Sequence, residues 1–374
     1  MRRSSYRSGA NVSIGNSPSI AHDACRDNDI LNHIAGKEIF SMTSIKASAL
    51  RLLIPGMALL TAFASSLSAF AQSTDSASDK VLRIGYQKAG LLAVLKAQGS
   101  LERKLTPLGY SVKWFEFPAG PQLFEALNAN SVDFGYTGAP PPVFAQAGAV
   151  RFVYVGAEPA GNGNEALFVK PDSPLRTLAD LKGKRIALQK GSSSHYLLLE
   201  VLRRANLRYE DIHPVYLPPA DARAAFENGD VDAWIVWDPY YAAAQQALKV
   251  RTLADYSTGE SVHNFYEATR NFAQQHPDLV GAILGQLRST GLWVNEHPAE
   301  TAALLAPKLG LDQALVEKWV RRVPYNTTAV TDDIVSGQQK VADAFYGAHL
   351  IPQKITVKDN VWQNREVTAS LAAK

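Results

Sequence analysis

Short apolar runs at residues 81–86, 112–117, 132–136, 152–155, 166–169, 185–188 and 233–236 alternate with segments whose apolar residues recur at helical spacing, such as 122–128, 196–205 and 221–228. Strand-sized runs separated by amphipathic helices predict an α/β fold with largely parallel sheets. From about His276 onward the pattern is helical. His276-Pro277 and His297-Pro298 read as helix starts, and Gly310 and Gly347 as helix ends. Upstream, Lys46 and Arg51 precede an apolar stretch at 52–67 that is broken by Pro55-Gly56 and closes on Ala69-Phe70-Ala71 before polar Gln72-Ser73. A basic flank, a short apolar centre and small residues at the −3 and −1 positions predict a signal peptide at 42–71, export to the periplasm and cleavage near Ala71. Residues 1–41 are expected to be a mis-assigned or disordered extension, with Met42 as the start.

Sliding the chain against itself exposes a degenerate repeat. Arg83-Ile84-Gly85-Tyr86-Gln87-Lys88 matches Arg185-Ile186-Ala187-Leu188-Gln189-Lys190, and Ala126-Leu127 to Val132-Asp133 matches Ala225-Phe226 to Val231-Asp232, each reading as a helix followed by Val-Asp and a strand. Two pairs in the same order at nearly one offset predict two similarly built lobes. The expected division is 80–163 with 265–374 for lobe one and 164–264 for lobe two, with Glu158-Pro159 and the Gly161-Asn162-Gly163-Asn164 stretch as a flexible crossover. In open α/β sheets ligands bind beyond the carboxyl ends of strands, so two facing lobes would enclose one ligand between them.

Composition removes several classes of function. The net charge of +3 comes from the leader, because the residues after 71 hold 31 of the 38 basic and 31 of the 35 acidic side chains. A balanced body without a basic block has no electrostatic footprint for nucleic acid. Cys25 is the one cysteine and lies upstream, so disulfides, thiolate metal sites and thiol catalysis are not expected in the body. The six histidines of the body, His195, His213, His263, His276, His297 and His349, show no metal-binding spacing, and no nucleophile elbow, Walker A or G-x-G-x-x-G motif occurs. Neither an enzyme nor a cofactor is expected.

The chemistry concentrates in loops after strands. Gly191-Ser192-Ser193-Ser194-His195 runs straight into a helix, where unpaired backbone N–H groups and serine hydroxyls suit an oxyanion. A single serine there would be a plain N-cap. Gln87 after the first strand, Gly120-Pro121 before a helix and Thr137-Gly138 after the third strand are weaker counterparts in lobe one. Tyr86, the Pro140-Pro141-Pro142 run, Phe144, Tyr196, Trp237, Asp238 and Tyr240 could surround a ligand tail, whereas Trp234 reads as core. Asp221 and Asp238 read as helix caps, Arg223 as a bridge between lobes or a surface residue, and Lys88 as solvated.

The strings LRIGYQK at 82–88, FEFPAGPQ at 115–122, QKGSSSH at 189–195, PADARAAF at 219–226, VDAW at 231–234 and WDPYY at 237–241 resemble the aliphatic-sulfonate-binding proteins of bacterial ABC importers over nearly the whole body. The resemblance implies a periplasmic-binding-protein fold of the second structural type, with two α/β lobes joined by two crossovers. It also implies a monomer that closes on an alkanesulfonate and passes it to a membrane permease and its ATPase. A sulfonate is permanently ionised and only accepts hydrogen bonds, so the expected site is made of donors alone. Its expected ligand-binding residues are Gln87, Gly120, Thr137, Gly138, Gly191, Ser192, Ser193, Ser194, His195, Asp221, Trp237, Asp238 and Tyr240. One departure from the family pattern is Ala139, where many members carry an acidic residue, preceded by Tyr136 instead of a small residue. It bears on the ligand tail, so taurine, nitrate or a neutral pyrimidine stand as alternatives, and a pyrimidine-precursor enzyme of the same fold is the rival from another class.

Overall fold

The computed structural model describes residues 80–258 and 262–372, so the expected signal peptide, the extension before it and Cys25 lie outside the described residues. Strands β1 (Lys80–Tyr86), β2 (Tyr110–Glu116), β3 (Phe134–Thr137), β4 (Phe152–Pro159), β5 (Glu165–Val169), β6 (Arg185–Leu188), β7 (His213–Tyr216), β8 (Ala233–Trp237), β9 (Arg251–Asp255) and β10 (His263–Thr269) build two five-stranded sheets. Their orders are β2-β1-β3-β10-β4 and β7-β6-β8-β5-β9. The two orders are the same topology written twice. In each sheet the strand before the first helix pairs in parallel with its two neighbours, and the strand by which the chain has just crossed over runs antiparallel between the third and fifth positions. The sheets are therefore mixed, not largely parallel as the strand-helix alternation implied.

The repeat has a physical basis. Asp133 precedes β3, accepts from the Arg83 backbone N–H at 2.9 Å and from its Nε at 3.0 Å, and returns its own N–H to the Arg83 carbonyl at 2.8 Å. Asp232 precedes β8 and does the same to Arg185, accepting the backbone N–H at 2.8 Å and donating its N–H to the Arg185 carbonyl at 2.8 Å. One Arg–Asp clamp thus fixes the register between first and third strands in both lobes. β4 from Phe152 to Ala157 and β5 from Ala166 to Val169 read as apolar runs because both of their faces are buried. The expected boundary at 264–265 falls inside β10, whose His263 and Asn264 pair with Pro159 and Glu158 in sheet one.

The later helices start and stop where proline and glycine put them. Pro277–Glu296 and Pro298–Leu309 carry proline in the first turn, and the second ends at Gly310 in the left-handed conformation. Helix Asp332–Gly347 carries Phe345 against Phe144 of lobe one and His195 of lobe two, with ring centroids 5.0 and 5.2 Å away. The C-terminal segment therefore packs on both lobes.

Candidate functional site

A cavity of about 80 Å³ lies between the carboxyl ends of the two sheets. Sheet one contributes Gln87, Gly90, Gly120, Tyr136, Gly138, Pro140, Pro141, Glu158 and Asn264; sheet two contributes Glu165, Ser192, Ser193, Tyr196, Trp237 and Asp238. Ser192 is the N-cap of helix Ser193–Arg204, and the first-turn N–H groups of Ser193 and Ser194 have no acceptor within the helix. Those amides, with the positive end of the helix behind them, favour an anion at this wall. A Cβ added to Gly138 would stand 3.2 Å from the Ser193 Cβ, a tight contact, so the missing side chain eases the close approach of the lobe-one loop to the helix start.

The serine hydroxyls are already engaged. Ser192 Oγ donates to the Gln189 carbonyl at 2.7 Å, while Ser193 and Ser194 Oγ donate to Oε1 of Glu165 at 3.0 and 2.5 Å. The backbone amides remain, which corrects the expectation of free hydroxyl donors. A second correction concerns charge, because three buried carboxyl groups line the cavity where donors alone were expected. Burial pushes Glu165 up to about 7 against the pull of Ser194 and Ser193. Burial does the same to Glu158, also to about 7, although the Tyr136 and Tyr266 hydroxyls both donate to it, Tyr266 at 2.7 Å. Asp238 is raised by burial to about 6, against the opposing Arg322 guanidinium, whose Nη1 sits 2.8 Å away.

Among known families, the description "NMT1/THI5 like" matches residues 112–301. A relative from Escherichia coli K12 named for aliphatic sulfonate binding is 42% identical over 299 residues, 80% of this chain and 93% of its own. The chain belongs to the NMT1/THI5-like family. The solved alkanesulfonate-binding protein of Xanthomonas axonopodis pv. citri, bound to MOPS, is 41% identical over 76% of this chain and 98% of its own, with a TM-score of 0.74. The periplasmic aliphatic sulphonate binding protein of Escherichia coli is likewise 41% identical, over 76% of this chain and 93% of its own, with a TM-score of 0.70. The two five-stranded sheets of this NMT1/THI5-like chain are thus those of a periplasmic binding protein, and the solved relatives are described as binding proteins, not enzymes.

Of the residues singled out by sequence, Gln87, Gly120, Gly138, Ser192, Ser193, Trp237 and Asp238 line the cavity of the NMT1/THI5-like fold, and Thr137, Gly191, Ser194, His195, Asp221 and Tyr240 do not. His195 is fully buried behind the loop. It accepts from the Gly191 N–H at Nδ1 and meets the Tyr209 hydroxyl at Nε2, 2.7 Å away, and burial lowers its pKa to about 3. Thr137 is also buried and donates to Glu267 at 2.6 Å. Ser194 lies beneath the wall on Glu165, and Tyr240 packs its ring edge against Trp237 outside the cavity. Asp221 is exposed in the first turn of helix Pro219–Asn228 and makes no side-chain cap. Arg223 pairs with Glu227 on the same helix, 2.6 Å away, and does not bridge the lobes. Tyr86 donates to surface Glu116, and Lys88 reaches the same carboxylate at 3.9 Å. Asp238 stands one residue before Pro239, the N-cap of helix Tyr240–Leu248, and accepts from the first-turn Ala242 N–H at 2.9 Å, while Trp234 is core. Glu158, read as part of a flexible crossover, is instead fully buried in β4. Glu165 and Asn264 were missed; an acidic residue opening the otherwise apolar run of β5 was the available signal.

Proposed function

We propose that this chain binds an aliphatic sulfonate in the cavity between its sheets and presents it to the permease and ATPase of an ABC importer. In this reading it reaches the periplasm through a signal peptide at 42–71. The observation that carries the reading is the start of helix Ser193–Arg204 in the cavity wall, in a chain 41% identical to two solved sulfonate-binding proteins. A sulfonate presents three acceptor oxygens and one permanent charge. The first-turn amide of Ser193, the second Nε2 proton of Gln87 (the first goes to the Tyr136 carbonyl at 3.1 Å) and the backbone at Gly120 and Gly138 offer donors on both sides. Micromolar affinity needs about 8 kcal/mol. A helix start supplies about 0.3 to 2 kcal/mol, so hydrogen bonds to the charged group, about 1.5 to 3 kcal/mol each, carry most of it. Trp237, Tyr196, Pro140 and Pro141 cover an apolar tail. Contacts from both lobes exist only when the cleft is shut, so ligand favours the closed state.

A second reading has a specific observation behind it. Glu158 and Glu165 have no cationic partner among the described residues, and an ammonium-bearing sulfonate such as taurine would supply one. Thermal unfolding of the purified protein with ethanesulfonate, longer alkanesulfonates, taurine, sulfate and nitrate separates these readings. Alkanesulfonates are expected to stabilise by about 2.7 kcal/mol at a hundredfold excess over Kd. Stabilisation by nitrate alone refutes the sulfonate reading. Intact mass of the exported protein tests cleavage after Ala71.

A further inference from the structure

We propose that Glu165 belongs to the anion site as a carboxylic acid, donating a hydrogen bond from Oε2 to the bound sulfonate, so that capture of one anion takes up one proton from solvent. The inference rests on the sulfonate reading above and assigns a residue and a proton to it. Oε1 accepts both the Ser193 and the Ser194 hydroxyl, so it is an acceptor in either protonation state. Oε2 accepts from none of the described residues, and the side chain lines the cavity. Ser193, one of the two, also lines the cavity with its first-turn amide, which brings anion oxygens next to this carboxyl. Two unscreened negative charges in contact inside a buried cavity repel, whereas a neutral carboxyl adds a donor that the anion can use.

No cation among the described residues offsets Glu165. On the helix side lie Ser193, Ser194 and the neutral His195, which is turned to Tyr209. On β8 its partner is Trp237, followed by Asp238, whose charge is matched by Arg322. On β9 Asp255 pairs with Ala166 and takes the Ser257 N–H, and the following Tyr256 donates to the Ser193 carbonyl at 3.0 Å. Across the cleft stand Gly138, Asn264 and Glu158, the last held by two tyrosine hydroxyls. Burial already raises Glu165 to about 7, and an adjacent anion raises it further.

Calorimetric titration with ethanesulfonate at pH 8, in two buffers of different ionisation enthalpy, counts the protons. About one proton per sulfonate is expected, with Kd weakening about tenfold per pH unit above the carboxyl's unliganded pKa. In E165Q the amide N–H replaces the acid donor and the amide oxygen keeps both serines. This variant is expected to bind within a fewfold of the wild type, take up no proton and lose the pH dependence. Zero uptake in the wild type overturns the proposal, as does uptake that persists in E165Q or is lost in E158Q instead. If E165Q fails to fold, the wild-type count decides alone. Taurine binding without proton uptake, where ethanesulfonate fails to bind at pH 6 as well as pH 8, also overturns it by making Glu165 the partner of an ammonium. Failure of every sulfonate to bind at pH 6, where the acid form prevails, instead refutes the sulfonate reading itself.

Discussion

In both lobes a first strand leaves an Arg–Asp clamp and turns into a helix beside the cavity: β1 into Leu91–Gln98, β6 into Ser193–Arg204. Past the clamp the two copies diverge. In lobe one the helix start is Gly90, at φ +86°, and a Cβ there would meet the Tyr136 ring at 2.7 Å, so an aromatic side chain fills the space over the first turn. In lobe two the start is Ser192, the space beyond it is the cavity, and the hydroxyls turn back onto Glu165. One scaffold has been used twice: both helix starts reach the cavity, but in lobe one the Tyr136 ring stands over Gly90, while in lobe two the serine start faces the cavity. Scaffold repetition is carried by residues at strand beginnings, and ligand chemistry by loops at strand ends, where the copies are free to diverge.

The strongest asymmetry is also the one whose loss costs most. Arg322, in the segment after helix Gln313–Val320, reaches Asp238 at the end of β8 and also donates to Gln245 at 2.6 Å; lobe one holds its buried Glu158 with tyrosine hydroxyls instead. Arg322→Ala leaves Asp238 buried without its ion-pair partner, with only Lys318, beyond ion-pair distance, as a nearby positive charge, and is expected to cost about 3 to 5 kcal/mol in urea unfolding. Adding Asp238→Asn is expected to recover much of that loss. Additive losses in the double variant would mean that the pair is not a unit.

The pH response comes next in size. Glu158 and Glu165 stand near 7 in the folded chain against an ordinary value of 4.5. The folded state therefore binds more protons than the unfolded one between those values. The stability each group contributes is complete below about 4.5 and is lost as pH rises through about 7, at up to about 1.4 kcal/mol per pH unit per group. The unliganded protein is expected to show a melting temperature that falls across this window. E158Q and E165Q should each remove one share of the slope, and a flat profile in the wild type would show that neither carboxyl is shifted.

These carboxyl groups mark the limit of what could be read along the chain. The strand at 166–169 was visible because burial on both faces makes it apolar throughout, those at 81–86 and 185–188 because apart from Arg83 and Arg185 they are apolar, and the helix starts at His276-Pro277 and His297-Pro298 because proline specifies a first turn. β7 and β9 are four- and five-residue edge strands of mixed polarity, and β10 reads HNFYEAT, so none stands out from loop. Because β10 is the return crossover, missing it also hid the antiparallel pairing in sheet one. At the site, Ser192 and Ser193 were legible from helix-start chemistry, whereas Glu158, Glu165 and Asn264 were not, because their role depends on which strand ends meet across the cleft. His195 was overassigned because adjacency in sequence to a helix start does not say which face of the first turn a ring occupies.

The two clamps permit a matched test of smaller effect. The Asp133 side chain is 11% exposed and that of Asp232 34%. Asp133→Ala is expected to lose about 1.5 to 3 kcal/mol, as for hydrogen bonds to a charged group, and Asp232→Ala about 0 to 1 kcal/mol, as for a solvent-screened pair. Equal denaturant midpoints would show that burial does not distinguish the copies.

The smallest expected effect probes the contact where the lobes meet. Gly138 and Ser193 belong to different sheets, and a Cβ on residue 138 would lie 3.2 Å from the Ser193 Cβ and 3.5 Å from its Oγ. The first contact is tight and the second ordinary, and relieving the first would require the helix start or the loop to give by a few tenths of an ångström. In an open cleft the methyl meets no such neighbour, so Gly138→Ala should leave the unliganded melting temperature nearly unchanged. On closure it should cost about 1 kcal/mol, roughly a fivefold rise in Kd for a sulfonate. The signature is a loss of affinity without a loss of stability. A variant that melts early but binds normally would place the strain within lobe one and not between the lobes, and the helix start would then not be a surface completed by closure.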